Sequence, residues 1–482
     1  MTHARGHTST AHRPAAPAAP AAPAAPAAPG PPAIHAGGGV DGRGRRTRRA
    51  SLRLGALAGA LLPAACGLPG GIGGQPGKPS LAPASVSLLF PGWTPEQLEQ
   101  LDQVVRRVEE ANPGLTVEKI QAVGSAGEKL STMIAGGTPP EVAWHGGLFA
   151  RFAGSGQLRP VDDLLAKDRE VKPADFYPTA WENTRYDGKA MGIPYMTQTF
   201  VVHYNKQALR AVGLDAPKDE WTFDDLLTTA RRLNKPDVQW GARFDDYLGC
   251  YILYGGRATP DFSRVTVNNP TNEGVLQWLR DQWARHNVAP PPGPEFRDKS
   301  PEQQFADGRV AMTMRHSIQL RFMRRITDFE WDVAPMPWFQ PTGGQRARKA
   351  GLEMEFFALT AGGKAPEQSW VVAKYLCGRD NIAWSSENGF GIPAIKAVAE
   401  SKAFLDPGQP PSRAKAFLDA FAYADWRFWR HRATGELDGA VGRWLGRFLA
   451  ADAAISAKET LEGLAQELNT ILDQFGRGST QG

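Results

Sequence analysis

Residues 86–144 read VSLLFPGWTPEQLEQLDQVVRRVEEANPGLTVEKIQAVGSAGEKLSTMIAGGTPPEVAW. Three short apolar or alternating segments within this stretch, 86–90, 115–120 and 141–144, have the pattern of β-strands. Between them, apolar residues recur every three or four positions in two segments, 94–112 and 127–135, as in amphipathic helices. Strand, helix, strand, helix, strand at this spacing predicts a parallel sheet with crossover helices. This part of the chain is therefore predicted to be α/β.

The rest of the chain continues both patterns. Strand-like or extended segments occur at 193–204, 329–335 and 355–360. Helical patterns occur at 223–233, 272–286, 303–308 and 366–376, and almost continuously from 412 to 474. No internal repeat is evident, which argues against a solenoid or a propeller.

The first 83 residues do not have the composition of a folded domain. Residues 1–40 are rich in Ala and Pro, and we predict a disordered extension because they lack the bulky apolar side chains of a core. Residues 41–65 join an arginine cluster to a short apolar run, which predicts a signal peptide. Within it, TRRASLR at 47–53 resembles a twin-arginine export signal, with Ser51 where an aromatic residue is usual. Residues 66–83, rich in Gly and Pro, are predicted to be a flexible tether.

A cysteine at the end of the signal predicts how the exported protein is held. LPAAC at 62–66 resembles a bacterial lipobox, in which the cysteine is acylated and becomes the first mature residue. We therefore expect Cys66 to carry a lipid anchor on the outer face of the cytoplasmic membrane. The alternative is an ordinary small residue beside a cleavage site.

The positive charge of the chain belongs to the export segment. The whole sequence carries +5, but the 65 residues before Cys66 contain eight Arg and one acid, Asp41, and carry +7. The remainder therefore carries about −2, so the high pI gives no argument for nucleic-acid binding.

Several local motifs occur in one order along the mature chain. They are YDGKAMGIPY at 186–195, YNK at 204–206, AVGLDAP at 211–217, EWTFDDL at 220–226, FADGRVAM at 305–312, VAPMP at 333–337 and GFGIPA at 389–394. Their order and spacing resemble those of the family 1 extracellular solute-binding proteins, which include maltose and other carbohydrate receptors of ABC importers.

The resemblance implies a two-lobed periplasmic-binding-protein fold of type II. Each lobe would be a mainly parallel sheet flanked by helices, and the chain would end in a helical tail. The first lobe would comprise 84–202 and 337–388, and the second 203–336 and 389–482. A monomer would hold its ligand in the cleft between the lobes and deliver it to ABC permease subunits. Cys250 and Cys377 would then lie in different lobes, which favours two buried thiols over a disulfide that locks the hinge.

Polar and aromatic side chains at predicted strand ends, on the segments that cross between the lobes and in one loop are the candidate ligand contacts. A sugar presents hydroxyl groups and C–H faces, so its site combines Trp or Tyr with hydrogen-bonding side chains. The predicted ligand-binding residues are Trp93, Trp144, His145, Tyr195, Gln198, Arg243, Asp245, Tyr247, His316, Glu353 and Asn388. For each of them the alternative is a packing or surface role without ligand contact.

Another ligand class is compatible with the same fold. His316 stands where the family usually has a glycine followed by a stacking tryptophan. If Arg243, Arg315, His316 and Arg321 converge, they would favour an anionic ligand, because Arg offers a bidentate fork to phosphate or carboxylate. The alternatives are therefore a polyol, a glycerol phosphate ester or a sugar acid. A surface protein that has kept the fold and lost transport is a third possibility.

An enzyme is the remaining alternative. A secreted carbohydrate hydrolase would need a pair of carboxylates, and the nearest pairs are Asp245 with Asp246 and Glu353 with Glu355. The sequence contains no His-Glu-x-x-His zinc motif, no Gly-x-Ser-x-Gly elbow and no phosphate-binding loop. We therefore expect no catalytic residue, no metal and no cofactor.

Overall fold

The computed structural model describes residues 81–244, 247–259, 262–292, 299–340 and 346–476. These residues fold around a mixed β-sheet. The strands in these ranges are β1 (Ala84–Phe90), β2 (Leu115–Gln121), β3 (Val142–His145), β4 (Arg185–Tyr186), β5 (Lys189–Ala190), β6 (Gly192–Asn205), β7 (Met312–His316), β8 (Trp331–Ala334), β9 (Ala350–Leu359), β10 (Ile392–Pro393) and β11 (Ala424–Trp426). All except β4 and β5, which pair with each other, belong to the main sheet.

Helices cover the sheet and form most of the C-terminal region. They are α1 (Pro95–Ala111), α2 (Ala126–Ala135), α3 (Phe149–Gly154), α4 (Asp162–Lys167), α5 (Pro178–Asn183), α6 (Lys206–Ala211), α7 (Phe223–Leu233), α8 (Pro270–Ala284), α9 (Pro301–Ala306), α10 (Leu320–Met323), α11 (Pro366–Leu376), α12 (Arg379–Glu387), α13 (Lys396–Ala399), α14 (Lys415–Asp419), α15 (Thr434–Phe448) and α16 (Ala457–Phe475). Among the described residues, no helix is both long enough and apolar enough to cross a bilayer.

Local sequence signals explain where the long helices begin. The Thr94 side chain accepts from the backbone of Gln97, and the Gln97 side chain accepts from the backbone of Thr94, which forms a capping box at the start of α1. The same arrangement begins α7 at Thr222 and α16 at Ser456. Each box satisfies backbone N–H groups that the first helical turn leaves without partners.

The first βαβ units have the predicted parallel topology. β1 pairs in parallel with β2 on one side and with β3 on the other. β3 then pairs antiparallel with β9, and β9 pairs antiparallel with β6. The late strand β9 therefore returns to the sheet built by the first 145 residues.

The fourteen-residue strand β6 joins two halves of the molecule. Its first half pairs with β9 and β10, and its second half pairs with β7 and β8. Its early residues Ile193 and Met196 belong to the first hydrophobic core, whereas Phe200 and Val202 belong to the second. A third, smaller core collects residues such as Val201 and Phe417. The lobe boundaries given above stay a prediction.

The C-terminal region differs from the prediction of nearly continuous helix. Strand β11 interrupts it and pairs in parallel with β9, so that Trp426 lies beside Leu352. Trp426 is buried in the first core and Trp429 in the second. The chain is extended here because it passes between two cores, and the spacing of its aromatic residues imitates a helical pattern.

Both described cysteines are buried and neither forms a disulfide; Cys250 lies in the second core and Cys377 in the first. The Cys377 thiol donates to the Ile193 carbonyl at 3.3 Å, and burial raises its pKa. In a Cys66→Ser variant we expect no thiol to react with a disulfide reagent in the native state and two to react after denaturation, because the reactive thiolate is disfavoured by burial. Immediate reaction of one or two thiols per molecule in the native protein would contradict this expectation.

Candidate functional site

The candidate site is built where β3, β9 and β6 lie side by side. Trp144 on β3 is paired with Phe357 on β9, and Gln198 on β6 is paired with Glu353 on β9. Directly paired residues lie on the same face of a sheet, and alternate residues of a strand share a face. Glu353, Glu355 and Phe357 therefore form one row, with Trp144 on one side of it and Gln198 on the other.

Trp144 and Glu355 are in direct contact. The indole Nε1 of Trp144 donates to Glu355 Oε2 at 3.4 Å, and both side chains are only partly buried. Removal from solvent is the main cause that raises the pKa of Glu355 to about 7, and the charge of Glu353 acts in the same direction. The hydrogen bonds from Trp144 and Gln198 and the charge of Arg321 act in the opposite direction. At neutral pH this carboxyl can therefore either accept or donate a hydrogen bond.

Gln198 connects this row to the segment that follows β7. Its Oε1 accepts from the Ser317 hydroxyl at 2.6 Å, and its Nε2 donates to the Phe390 carbonyl at 3.4 Å. Gln198 is 1% exposed. Its predicted contact with ligand hydroxyls would have to be made alongside these internal bonds.

Arg427 links Glu353 to the second core. Its Nε donates to Glu353 Oε1, and its guanidinium lies 4.0 Å from the ring centre of Phe428 and 5.5 Å from that of Tyr247. The Tyr247 hydroxyl in turn hydrogen-bonds His316 Nε2 at 2.7 Å. One continuous chain of polar contacts thus runs from β9 to β7.

Tyr247 has an unusual backbone conformation. Its φ of 52° and ψ of 45° lie in the left-handed region, which costs a residue with a Cβ about 1–2 kcal/mol. The ring also lies 5.7 Å from the guanidinium of Arg315. Strain of this kind persists only where surrounding contacts impose it, and it is concentrated at functional sites.

Five predicted residues therefore come together: Trp144, Gln198, Tyr247, His316 and Glu353. Sequence reasoning did not include Arg427 or Ser317 among the contacts, and considered Glu355 only as a member of a catalytic pair. The signal that could have singled out Arg427 is its position between Trp426 and Phe428, in a tail segment otherwise interpreted as helical.

His145 points away from this group. Its ring stacks 5.5 Å from Phe356 and meets Phe152 edge-on at 5.5 Å, inside the first core. Burial lowers its pKa to about 3, so the imidazole is neutral. His145 follows Trp144 directly in a strand, and successive residues face opposite sides of the sheet.

Trp93 and Tyr195 lie at the other end of the row, beside Phe357. Their rings are 6.4 Å and 5.5 Å from it, and the Tyr195 hydroxyl is 2.6 Å from Ser385 Oγ. Together with Trp384 they line a narrow recess. Burial raises the pKa of Tyr195 far above its ordinary value, and the charge of Glu355 acts in the same direction.

Two further predicted residues have structural partners, and one cannot be placed. Arg243 is buried and its Nη1 donates to the Lys299 carbonyl at 3.0 Å. Asn388 is exposed at the end of α12, where its Nδ2 donates to the Trp384 carbonyl at 2.8 Å. Asp245 lies outside the described residues.

The arginines considered for an anionic ligand have different partners in the structure. Arg315 makes a 3.0 Å ion pair with Glu302, and Arg243 faces the Lys299 carbonyl. Arg321 lies 5.5 Å from the ring centre of Phe390. Of these three arginines, Arg321 is the one whose charge lowers the pKa of Glu355.

The sequence of the chain matches a family model and several relatives. The sequence model of the family described as "Bacterial extracellular solute-binding protein" matches residues 92–382, more than half of the chain. An arabinooligosaccharide-binding protein of Halalkalibacterium halodurans is 26% identical over 262 residues, which cover 48% of this chain and 59% of that protein. The chain thus spans less than two thirds of this relative. The sn-glycerol-3-phosphate-binding periplasmic protein of Salmonella typhimurium is 23% identical over 325 residues, 63% of this chain and 72% of that protein.

Solved structures show the same fold. A Listeria monocytogenes ABC substrate-binding protein in complex with cycloalternan superposes with a TM-score of 0.71 at 19% identity, covering 81% of this chain and 99% of that one. The GacH receptor of Streptomyces glaucescens gives a TM-score of 0.69 at 19% identity, covering 82% and 100%. The predicted α/β fold of the periplasmic-binding-protein type is confirmed by this likeness.

Proposed function

We propose that this chain, which belongs to the bacterial extracellular solute-binding proteins, captures a neutral mono- or oligosaccharide and delivers it to an ABC permease. The site described above would take the ligand between the two halves joined by β6. Closure of such halves around a ligand presents a distinct surface to the membrane subunits.

The observation that carries the proposal is the set of contacts around β9. Trp144 and Tyr247 supply aromatic surfaces suited to the C–H faces of a sugar ring. Glu353, Glu355 and Gln198 lie beside them and supply acceptors and a donor for hydroxyl groups. Aromatic surfaces next to side chains of mixed hydrogen-bonding capacity suit a neutral polyhydroxy ligand.

We infer that the protein binds its ligand without converting it. Hydrolysis by two carboxylates needs one that acts as acid and one that acts as base or nucleophile. The Glu353 carboxylate is already engaged in an ion pair with Arg427. The relatives named above are likewise described as binding proteins.

Export and anchoring complete the proposal. The signal predicted at 41–65 and Cys66, the predicted site of lipidation, lie outside the described residues. A lipid anchor with a tether at 66–83 would keep a monomeric receptor beside its permease. This location suits a protein of an extracellular family.

The test is a thermal-shift screen of neutral oligosaccharides, polyols, sugar acids and phosphate esters. A ligand that binds only the folded state stabilises it by about 2.7 kcal/mol when present at a hundredfold excess over its Kd. We expect a shift with a neutral sugar. Trp144→Ala should weaken binding roughly thirtyfold, because about 2 kcal/mol of apolar contact is lost.

The matched control is Trp444→Ala. Trp444 packs against α16, and its Nε1 donates to Glu467 at 2.6 Å, so it belongs to the helical tail rather than to the site. This variant should shift the unfolding midpoint of the unliganded protein and leave the response to sugar intact. A response to anions alone, unaffected by Trp144→Ala, would contradict the proposed ligand class.

A further inference from the structure

We propose that Glu355 sets the charge selectivity of the site, accepting neutral polyhydroxy ligands and excluding those that carry a phosphate or carboxylate. This inference rests on the proposed function and narrows its ligand class. It starts from the position of Glu355 on β9, where the carboxylate accepts a hydrogen bond from Trp144 on the neighbouring strand β3. A carboxylate fixed in this way faces the surface on which a sugar would stack.

The charges around Glu355 support exclusion of anions. Its nearest acidic neighbour, Glu353, is neutralised by Arg427. In the part of the chain that the structure describes, Glu355 itself makes no ion pair within 4.0 Å. Its ionised form would therefore leave a net negative charge in a partly desolvated site, where repulsion of a second anion is screened much less than in water.

Among the described residues, Arg321 is a cation that opposes this effect. It follows β7, lies 5.5 Å from the ring centre of Phe390, and lowers the pKa of Glu355. The lowering is smaller than the rise caused by burial together with Glu353, since the pKa of Glu355 stays near 7. Tyr195, whose pKa the Glu355 charge helps to raise, is neutral because burial raises that pKa far above the ordinary value.

The selectivity should depend on pH, and the sign follows from the raised pKa. Below about pH 7 Glu355 keeps its proton and no longer repels an anion, whereas above that pH it is ionised. Discrimination against anions should therefore be strong at about pH 8.5 and weak at about pH 6. Because the ordinary pKa is lower than the folded one, ionisation also destabilises the fold as the pH rises through neutrality.

The experiment is isothermal titration calorimetry of the full chain at both pH values. Arabinotriose and maltotriose are each paired with their own aldonic acid, and glycerol is paired with sn-glycerol 3-phosphate. At about pH 8.5 we expect the wild-type protein to bind a neutral sugar at least about tenfold more tightly than its acid. Glu355→Gln should remove most of this gap at about pH 8.5 and should abolish its pH dependence, so the ratio of the two affinities is the quantity that tests the proposal.

The control is Glu118→Gln, which makes the same charge change on an exposed position of β2. It should leave the gap and its pH dependence as they are in the wild-type protein. At about pH 8.5, Glu355→Gln should unfold at the same temperature as the wild type or at a higher one. This result will show that the variant is folded.

The experiment distinguishes failure of the charge-selectivity proposal from failure of the proposed carbohydrate function. If a neutral sugar binds and its acid binds equally well at about pH 8.5, or if Glu355→Gln leaves the gap unchanged, the charge-selectivity proposal alone is overturned. If no neutral probe binds, the carbohydrate function falls and the selectivity proposal with it. Binding of sn-glycerol 3-phosphate that is lost in Arg321→Gln would identify Arg321 as the dominant charge. That result would also overturn the charge-selectivity proposal.

Discussion

Arg427→Ala is expected to lower the free energy of unfolding by about 3 kcal/mol and to abolish measurable sugar binding. Arg427 and Glu353 are 21% and 19% exposed, so removal of the arginine leaves a largely buried carboxylate without its partner. The variant also loses the packing of the guanidinium against Phe428 and Tyr247. Chemical denaturation followed by circular dichroism measures the first effect, and calorimetric titration measures the second.

Lys349→Ala is the matched control for this prediction. Lys349 pairs with Asp425 at 2.7 Å, close to Arg427 in the fold, but the two side chains are 33% and 50% exposed. Exposed pairs contribute about 0.5 kcal/mol, so this variant should remain stable and should bind sugar normally. Equal losses in the two variants would show that burial of the Arg427–Glu353 pair has no special weight.

Gly192→Ala is expected to destabilise the protein by at least about 3 kcal/mol and to reduce its soluble yield. A Cβ at position 192 would lie 2.2 Å from the Phe357 carbonyl oxygen and 2.9 Å from the Phe356 ring. Both neighbours belong to β9, the central partner of β6, so neither can move without disturbing the pairing of the two strands. Thermal unfolding of the purified variant measures the effect.

Gly442→Ala provides the opposite control. Gly442 is exposed on α15 and a Cβ there meets nothing within 4 Å. Alanine in an exposed helix interior stabilises by about 0.5–1 kcal/mol relative to glycine, so the same substitution should have opposite signs at the two positions. A Gly192→Ala protein as stable as the wild type would mean that β6 and β9 are not as closely paired as described.

The parts of the fold that could be predicted are those with local periodicity. The segments between 86 and 144 alternate between the patterns of strands and helices, and β1, α1, β2, α2 and β3 appear where these patterns indicate. The tail was predicted wrongly near Ala424–Trp426 because a three-residue strand has too few positions to show a period. Its conformation is decided by pairing with β9, which lies more than seventy residues earlier.

The site was predictable in part from residue type and from position along the predicted strands and the segments between them. Trp144, Gln198 and Glu353 lie on neighbouring strands, and their side chains share a face. His145 could have been separated from Trp144 by the same alternation, since adjacent strand residues face opposite sides. Arg427 could not be found in this way, because its contact with Glu353 depends on the path of the tail between the two cores.

The position of strand β6 determines whether the two halves of the protein can fold separately. All fourteen of its residues are buried, and it supplies side chains to both main cores. Cutting the chain at this strand would leave each fragment with an unpaired strand edge and an open apolar face, which favours aggregation. The two halves are therefore expected to melt in a single cooperative transition, and neither could be expressed, exchanged or grafted as an independent building block.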